Sequence, residues 1–343
     1  MKTWWWKALS VLLLLGVVVV GLRTPLAPAL VGCTPDRIAA GEFTAGATGY
    51  GTRFTEGLDG AWIVNGGRHI CAADVRAVDD AHLEVRFAVG GDISPGLSDL
   101  LVRTRAHGDL VFPGAFYATA GPDSAGSAWC AAPVALAPTS AFLFPDRNIL
   151  NETIRNLFFH VPMWFAMIVV MAIGVWNSAR VLGGRDPDAD RRALAAVQVG
   201  LLFGLLGLIT GSLWARVTWG TWWTNDAKLN GAAVGVLTYL AYLVLRGSVN
   251  EVSKRGRLAA IYSIFAFVFM LLFFFVLPRL NAVDSLHPGN GGNPAFNTYD
   301  LDSRLRLVFY PACIGWIGLA VWMYQLRHRL AALAENEPSA NDA

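Results

Sequence analysis

Two of the six histidines in this chain lie beside hydrophobic segments and have the chemistry of iron ligands. His160 stands at the start of one apolar stretch, and His287 lies in a Pro- and Gly-rich stretch between two others. A neutral imidazole is a strong ligand for iron, and heme iron has two axial positions. One histidine from each segment is therefore predicted to bind the same heme. For either histidine alone, a local hydrogen bond at a membrane interface is the alternative interpretation.

A tryptophan-rich segment lies between these histidines in the sequence. Trp219, Trp222 and Trp223 are close neighbours, with Gly220 among them and Asp226 shortly after. Indole rings stack on a flat macrocycle, and glycine permits close approach of the backbone. An aromatic belt is the alternative, because Trp is enriched at membrane interfaces without any ligand. A belt does not require the glycine and the aspartate, so we favour a platform for heme.

Two cations flank the tryptophan segment. Heme carries two propionates, which need cationic partners, and Arg216 and Lys228 are predicted to pair with them. We also expect Asp226, beside these cations, to fix the loop through charge-assisted hydrogen bonds. Asp226 is therefore expected to matter more for heme retention than Asn225. A solvated loop carboxylate is the alternative.

Long apolar stretches must position these residues. The 343 residues are 55% hydrophobic and 15% charged. The net charge of +2 is too small to indicate a nucleic-acid-binding surface. About 20 apolar residues span a membrane as a helix. Stretches that approach this length are residues 5–22, 158–179, 194–214, 229–245, 258–277 and 305–326. The predicted fold is mainly α, a polytopic bundle of six transmembrane helices. We expect the first stretch to be a retained anchor, with a cleaved signal peptide as the alternative.

The distribution of Lys and Arg predicts the orientation of the spans. The N-terminus, the loops after the second and fourth spans, and the tail are basic, which places them and both termini in the cytoplasm. Residues 23–157, 214–230 and 278–304 then face outward. Basic residues also occur in two of these outward segments, and the orientation rule does not explain them.

An all-β, sandwich-like extracytoplasmic domain is predicted for residues 31–145. Short alternating runs are separated there by Gly, Asp, Asn and Pro clusters, which is typical of small sandwiches and barrels. His69, His82 and His107 are scattered through this region. We interpret them as polar surface residues and not as metal ligands.

The four cysteines are too irregularly spaced for a metal signature. Cys33, Cys71 and Cys130 lie outside the membrane, where disulfides form. Because three is odd, at most one internal pair forms among them, and of the possible pairings we favour Cys71–Cys130. Cys313 lies in the last span and is interpreted as a packing residue.

Residues 145–159 are predicted to form an interfacial helix that leads into the second span, with Asn151 or Thr153 at its start. Proline is tolerated in the first turn of a helix. Pro162 therefore places His160 at or just before the start of that span. The resulting domain organisation is an anchor helix and linker at 1–30, the β-rich domain at 31–145, a five-helix membrane domain at 146–330 and a cytoplasmic tail at 331–343.

The segment Trp-Gly-Thr-Trp-Trp-Thr-Asn-Asp at residues 219–226 resembles the WWD signature of the cytochrome c assembly superfamily. With His-Val-Pro before it and Leu-His-Pro after it, the chain resembles the CcmC-type heme-handling proteins over residues 149–329. The resemblance implies that His160 and His287 are axial ligands to heme b. It also implies a heme platform made by Trp219, Trp222, Trp223 and Asp226.

By the same resemblance, the chain binds heme at the extracytoplasmic surface of a bacterial inner membrane and catalyses no reaction. It then delivers the heme to a periplasmic heme chaperone for cytochrome c biogenesis, together with ABC-transporter subunits. This chain has no Walker motif, so any ATP dependence belongs to another subunit. Asn225 stands where the family usually has an aromatic residue, and the β-rich domain replaces a usually short loop.

Two other function classes remain open. A cytochrome c heme lyase of the same superfamily shares the tryptophan signature, but such synthases generally have more spans and additional intramembrane histidines. A membrane-anchored β-domain sensor or adhesion module would bind no cofactor, and it does not account for the paired histidines.

Overall fold

The computed structural model describes residues 4–119, 126–134, 142–147, 150–184, 186–280, 286–287 and 301–336. The chain forms two compact units. The membrane unit comprises Met1–Thr24 and Glu152–Ala343, and the β unit comprises Pro25–Asn151.

Within the described residues, six helices are long and apolar enough to cross a membrane, as the sequence predicts. Their bounds are Trp5–Arg23 (α1), Leu157–Leu182 (α2), Ala189–Thr218 (α3), Ala227–Gly247 (α4), Val252–Leu271 (α5) and Ser303–Asn336 (α6). A 3-10 turn at Asn151–Asn156 precedes α2, and a π-helical turn at Leu272–Val276 continues α5. The chain is therefore a multi-pass membrane protein.

The β unit is a sandwich of two sheets, which confirms the predicted fold. Its strands are Ala29–Thr34 (β1), Arg37–Ile38 (β2), Gly41–Tyr50 (β3), Leu58–Asn65 (β4), Arg68–Cys71 (β5), Asp74–Ala77 (β6), His82–Val89 (β7), Gly96–Thr104 (β8), Gly108–Ala118 (β9) and Trp129–Cys130 (β10). One sheet has the order β1-β3-β7-β6, and the other has β10-β5-β4-β8-β9-β2. Alternate residues of each sheet point inward, so that Phe87 on one sheet and Ile63, Leu100 and Phe116 on the other share a core.

The predicted disulfide Cys71–Cys130 is present and joins β5 to the short edge strand β10. Asp92 holds the segment before β10, since it accepts hydrogen bonds from the main chain and hydroxyl of Ser127 and from the indole of Trp129. These bonds lower the pKa of Asp92 to about 2. Cys33 is not in a disulfide, and burial raises the pKa of its thiol to about 11.

The start of the second span differs from the prediction. The expected interfacial helix is a 3-10 turn, and α2 begins at Leu157 without a side-chain cap. The Thr153 hydroxyl, one of the expected caps, accepts a hydrogen bond from the indole of Trp214 at 3.0 Å. His160 therefore lies inside the first turn of α2, not before it. Pro162 lies beyond the first turn, where a proline normally disrupts a helix.

A tryptophan of α6 compensates for this proline. Pro162 has no N–H to donate to the carbonyl four residues earlier, that of Phe158. The indole Nε1 of Trp316 donates to the Phe158 oxygen instead, at 3.2 Å. The carbonyl is thus satisfied, and α6 is joined to α2 two residues before His160.

The first and last helices, α1 and α6, pack against each other in the membrane unit. The backbone of α6 approaches α1 closely, because a Cβ at Gly315 would lie 2.9 Å from Leu14, and one at Gly318 would meet the Ser10 hydroxyl. Helix α6 continues to Asn336, into the range 331–343 predicted as the tail. The remaining tail lies outside the described residues.

Candidate functional site

His160 is held by a hydroxyl group of α3. Its Nδ1 lies 3.1 Å from Oγ1 of Thr210, and this oxygen lies 2.8 Å from the Leu206 carbonyl oxygen, one turn earlier in α3. The Thr210 hydroxyl donates its one proton to that carbonyl, in the back-bonded geometry common for threonine in helices. The hydroxyl oxygen can then only accept from His160, so Nδ1 carries the imidazole proton. Nε2 is therefore the nitrogen that can bind a metal.

Small residues on α3 let the side chains of α2 approach its backbone. The two helices run antiparallel, and four glycines of α3 each receive a large residue of α2. The pairs are Gly200 with Met171, Gly204 with Met167, Gly207 with Trp164 and Gly211 with His160. The rings of Trp164 and Trp214 lie edge-to-face with the imidazole, at 6.2 and 5.8 Å between centroids. The His160 ring is thus fixed by packing as well as by hydrogen bonding.

Asp226 ends the tryptophan segment and begins α4. Its Oδ1 accepts hydrogen bonds from the main-chain N–H groups of Lys228 at 2.8 Å and Leu229 at 3.2 Å, which is the geometry of a helix N-cap. Its residue surface is 3% exposed. Asp226 therefore joins the end of the tryptophan segment to the first turn of α4 through main-chain hydrogen bonds.

The same carboxylate holds the segment that contains His287. Oδ2 of Asp226 accepts from the main-chain N–H of Leu286 at 2.8 Å, and Oδ1 lies 3.2 Å from Nδ1 of His287. A carboxylate can only accept, so Nδ1 of His287 carries the proton and Nε2 is the nitrogen suited to a metal. Trp219 lies edge-to-face with this imidazole, at 5.1 Å between ring centroids.

The two histidines come from distant parts of the chain and belong to the same compact unit. Each imidazole donates Nδ1–H to an oxygen and lies against tryptophan rings. Metal-ligating histidines almost always donate their other ring N–H to an oxygen in this way, because the hydrogen bond fixes the tautomer and the orientation of the ring. The residues present therefore fit the donor set of a heme with two imidazole ligands.

The other predicted platform residues lie near the surface. Trp222 is 56% exposed and Trp223 is 39% exposed. The Trp223 indole donates to the Asn230 side chain at 3.1 Å, and Asn230 in turn donates to Asn225 at 2.7 Å. Asn225 thus takes part in a hydrogen-bonded support of the tryptophan segment.

Of the two predicted propionate partners, Arg216 donates a hydrogen bond to the Gly220 carbonyl across the turn at the end of α3. Gly220 has φ of 75°, a left-handed conformation that favours glycine. Lys228 lies in the first turn of α4, next to Asp226. Both cations therefore flank the tryptophan segment.

The sequence reasoning missed the residues that position His160, above all Thr210 and Gly211. A sequence signal existed, since the glycines of α3 recur at spacings of four, three and four residues. This heptad-like spacing places them on one face of a helix, which in membranes indicates close helix packing.

Comparison with known proteins identifies the family of this chain. The family model of heme exporter protein C (CcmC) matches residues 109–340, about two thirds of the chain. Heme exporter protein C of Bradyrhizobium diazoefficiens is 39% identical over 125 residues, which are 36% of this chain and 46% of that protein. Heme exporter protein C of Paracoccus denitrificans is 30% identical over 215 residues, 58% and 84% of the two chains.

A shorter match extends to another protein class. The cytochrome c biogenesis protein CcsA of Prochlorococcus marinus is 40% identical over 73 residues, which are 21% of this chain and 23% of that protein. The chain thus spans about half of the Bradyrhizobium relative and most of the Paracoccus relative. Because the family model covers most of the chain, this protein belongs to the heme exporter protein C family.

Proposed function

We propose that this protein binds heme b at the extracytoplasmic surface of the bacterial inner membrane and delivers it for cytochrome c biogenesis. His160 and His287 are the axial ligands in this proposal. The observation that carries it is the pair of imidazoles, each with Nδ1 bonded to an oxygen and its ring against tryptophan. Such support is expected of metal-binding histidines and is not needed for two unrelated surface histidines.

The tryptophan segment supplies the heme platform in this proposal. Trp219 contacts the His287 ring, whereas Trp222 and Trp223 present exposed indole surface on which a macrocycle can stack. Arg216 and Lys228 pair with the propionates. Arg216 would have to exchange the Gly220 carbonyl for a carboxylate, a stronger acceptor for a guanidinium.

The names of the relatives support heme as cargo and cytochrome c biogenesis as the destination. The protein acts as a carrier and not as an enzyme. A periplasmic heme chaperone receives the heme, and ABC-transporter subunits of the maturation system are its membrane partners. In this proposal both termini are cytoplasmic, an orientation that the basic loops favour, and the tryptophan segment faces the periplasm.

A heme lyase is the second candidate, because part of the chain is similar to a CcsA protein. Helices α3, α4 and α5 contain no histidine, and His328 of α6 pairs with Asp188 at 2.8 Å, so the proposed heme site uses the pair His160 and His287. A lyase would attach heme covalently to the thiols of an apocytochrome, whereas a carrier transfers it unmodified.

The absorption spectrum of the purified protein tests heme binding, and transfer to a chaperone tests delivery. We expect a heme-loaded protein that loses its heme to an added apo-chaperone without covalent attachment to an apocytochrome peptide. A colourless protein that also fails to bind added hemin would overturn the proposal. Covalent heme attachment to the peptide by this chain alone would favour the lyase.

A further inference from the structure

The two imidazoles of the site have chemically unlike partners. Nδ1 of His160 lies 3.1 Å from the Thr210 hydroxyl, which is neutral. Nδ1 of His287 lies 3.2 Å from the Asp226 carboxylate, which is anionic. The distances are nearly equal, so the difference between the two ligands lies in the charge of the acceptor and not in the length of the hydrogen bond.

The Asp226 carboxylate is held firmly in place. Its two oxygens accept main-chain hydrogen bonds from Lys228 and Leu286, both at 2.8 Å, and its side chain is 2% exposed. Solvent therefore screens its charge little, and a hydrogen bond to the imidazole is stronger there than in water. A carboxylate that accepts the Nδ1 proton increases the electron density at the opposite ring nitrogen, Nε2.

Thr210, the partner of His160, carries no charge, in contrast to Asp226. Its hydroxyl is back-bonded to the Leu206 carbonyl at 2.8 Å, so it offers only a neutral lone pair to His160. It contacts the same ring nitrogen but, because it is uncharged, adds little electron density to the ring. The rigid contacts with Gly211 and Trp214 also fix the ring without adding charge.

We propose that Asp226 and Thr210 are positioning residues that make the two heme ligands unequal. Asp226 gives His287 partial imidazolate character and so lowers the reduction potential of bound heme. Thr210 keeps His160 an ordinary neutral imidazole. Axial ligand strength and hydrogen bonding to the ligand are established determinants of heme potential. This inference rests on the proposed bis-histidine binding of heme.

The tautomers can be measured without heme. We expect nitrogen NMR of the ¹⁵N-histidine-labelled, heme-free protein to show both His160 and His287 protonated at Nδ1. Thr210→Val should allow the His160 proton to move between Nδ1 and Nε2 without an effect on His287. Asp226→Asn should change the tautomer of His287 without an effect on His160. A wild-type His287 protonated at Nε2 would overturn the inference, because the Asp226 hydrogen bond would then be absent.

Redox titration of the heme-loaded protein measures the inequality itself. Asp226→Asn keeps a good N-cap for α4 and removes the charge, so we expect it to raise the midpoint potential. Thr210→Val should shift the midpoint potential less than Asp226→Asn does. Thr210→Ser keeps the hydroxyl and should have the wild-type potential. His82→Ala, which removes an imidazole paired with Asp79 in the β unit, is the control and should leave the potential unchanged.

Equal potentials for Asp226→Asn and wild type would overturn the inference, as would a larger shift in Thr210→Val. Failure of the underlying proposal has a different signature. In that case the wild-type protein lacks a six-coordinate low-spin spectrum, whatever the potentials of the variants.

Discussion

The ring of His160 lies directly against the backbone of Gly211. A Cβ at position 211 would be 2.7 Å from Cε1 of the imidazole, closer than real contacts allow. Because the ring is also confined by Trp164 and Trp214, Gly211→Ala must displace it or push the two helices apart. Overpacking of this kind costs about 1–3 kcal/mol.

We therefore predict that Gly211→Ala weakens heme binding and converts part of the bound heme to a high-spin form. Gly16→Ala in α1 is the matched control, since nothing lies within 4 Å of a Cβ there. Heme titration and the absorption spectrum of both variants provide the check. An unaltered spectrum in Gly211→Ala would mean that the orientation of His160 does not control ligation.

Asp226→Ala and Asn225→Ala should behave differently. The alanine at 226 removes an N-cap, at a cost of about 1 kcal/mol, and also the partner of His287 and Leu286. We expect clear loss of heme retention, measured as the rate of heme transfer to apomyoglobin. Asn225→Ala removes one hydrogen bond with Asn230 and should be mild. Similar rates in the two variants would indicate a solvated loop carboxylate.

Removal of the β unit should leave bound heme. The chain enters and leaves this unit at neighbouring positions, because the main-chain N–H of Ala27 donates to the Phe144 carbonyl at 2.7 Å. A short linker can therefore replace residues 31–144. The heme content of the truncated, well-folded protein is the measurement, with transfer to the chaperone as a second one. Complete loss of heme would show that the β unit contributes to the site.

The Cys71–Cys130 disulfide should stabilise the β unit. It closes a loop with a sequence separation of 59 residues. The chain-entropy relation gives about 4 kcal/mol for a loop of this size. The double Cys→Ala variant should show faster hydrogen exchange in β5 and β10 of the full-length protein, whereas Cys33→Ala, which removes an unbridged thiol, should not. Equal exchange in both variants would contradict a stabilising role.

The sequence predicts the large features of this fold because they follow from periodicity and composition. Long apolar runs give the six helices, and alternation between turn residues gives the sandwich. The start of α2 was predicted wrongly, since Pro162 indicated a first turn. Only the distant Trp316, which donates to the Phe158 carbonyl, allows the proline to lie deeper in the helix.

In the candidate site, too, local features could be predicted from the sequence and contacts between distant residues could not. The ligand candidates and the tryptophan segment are local patterns, so they could be read from the sequence. Their supporting residues are not local, since Thr210 meets His160 from another helix and Asp226 meets His287 across 61 positions. Asp226 was predicted to act beside Arg216 and Lys228, but pairing by charge alone does not reveal hydrogen bonds to main-chain amides or to an imidazole.

The most direct test compares the absorption spectra of heme-loaded wild type, His160→Ala and His287→Ala. Two imidazole ligands predict a six-coordinate, low-spin spectrum in the wild type. Each single variant should become high-spin or lose heme, and added imidazole should restore the low-spin form. His82→Ala, in which the lost imidazole pairs with Asp79 in the β unit, should leave the spectrum unchanged. An unchanged low-spin spectrum in both His160→Ala and His287→Ala would contradict the account.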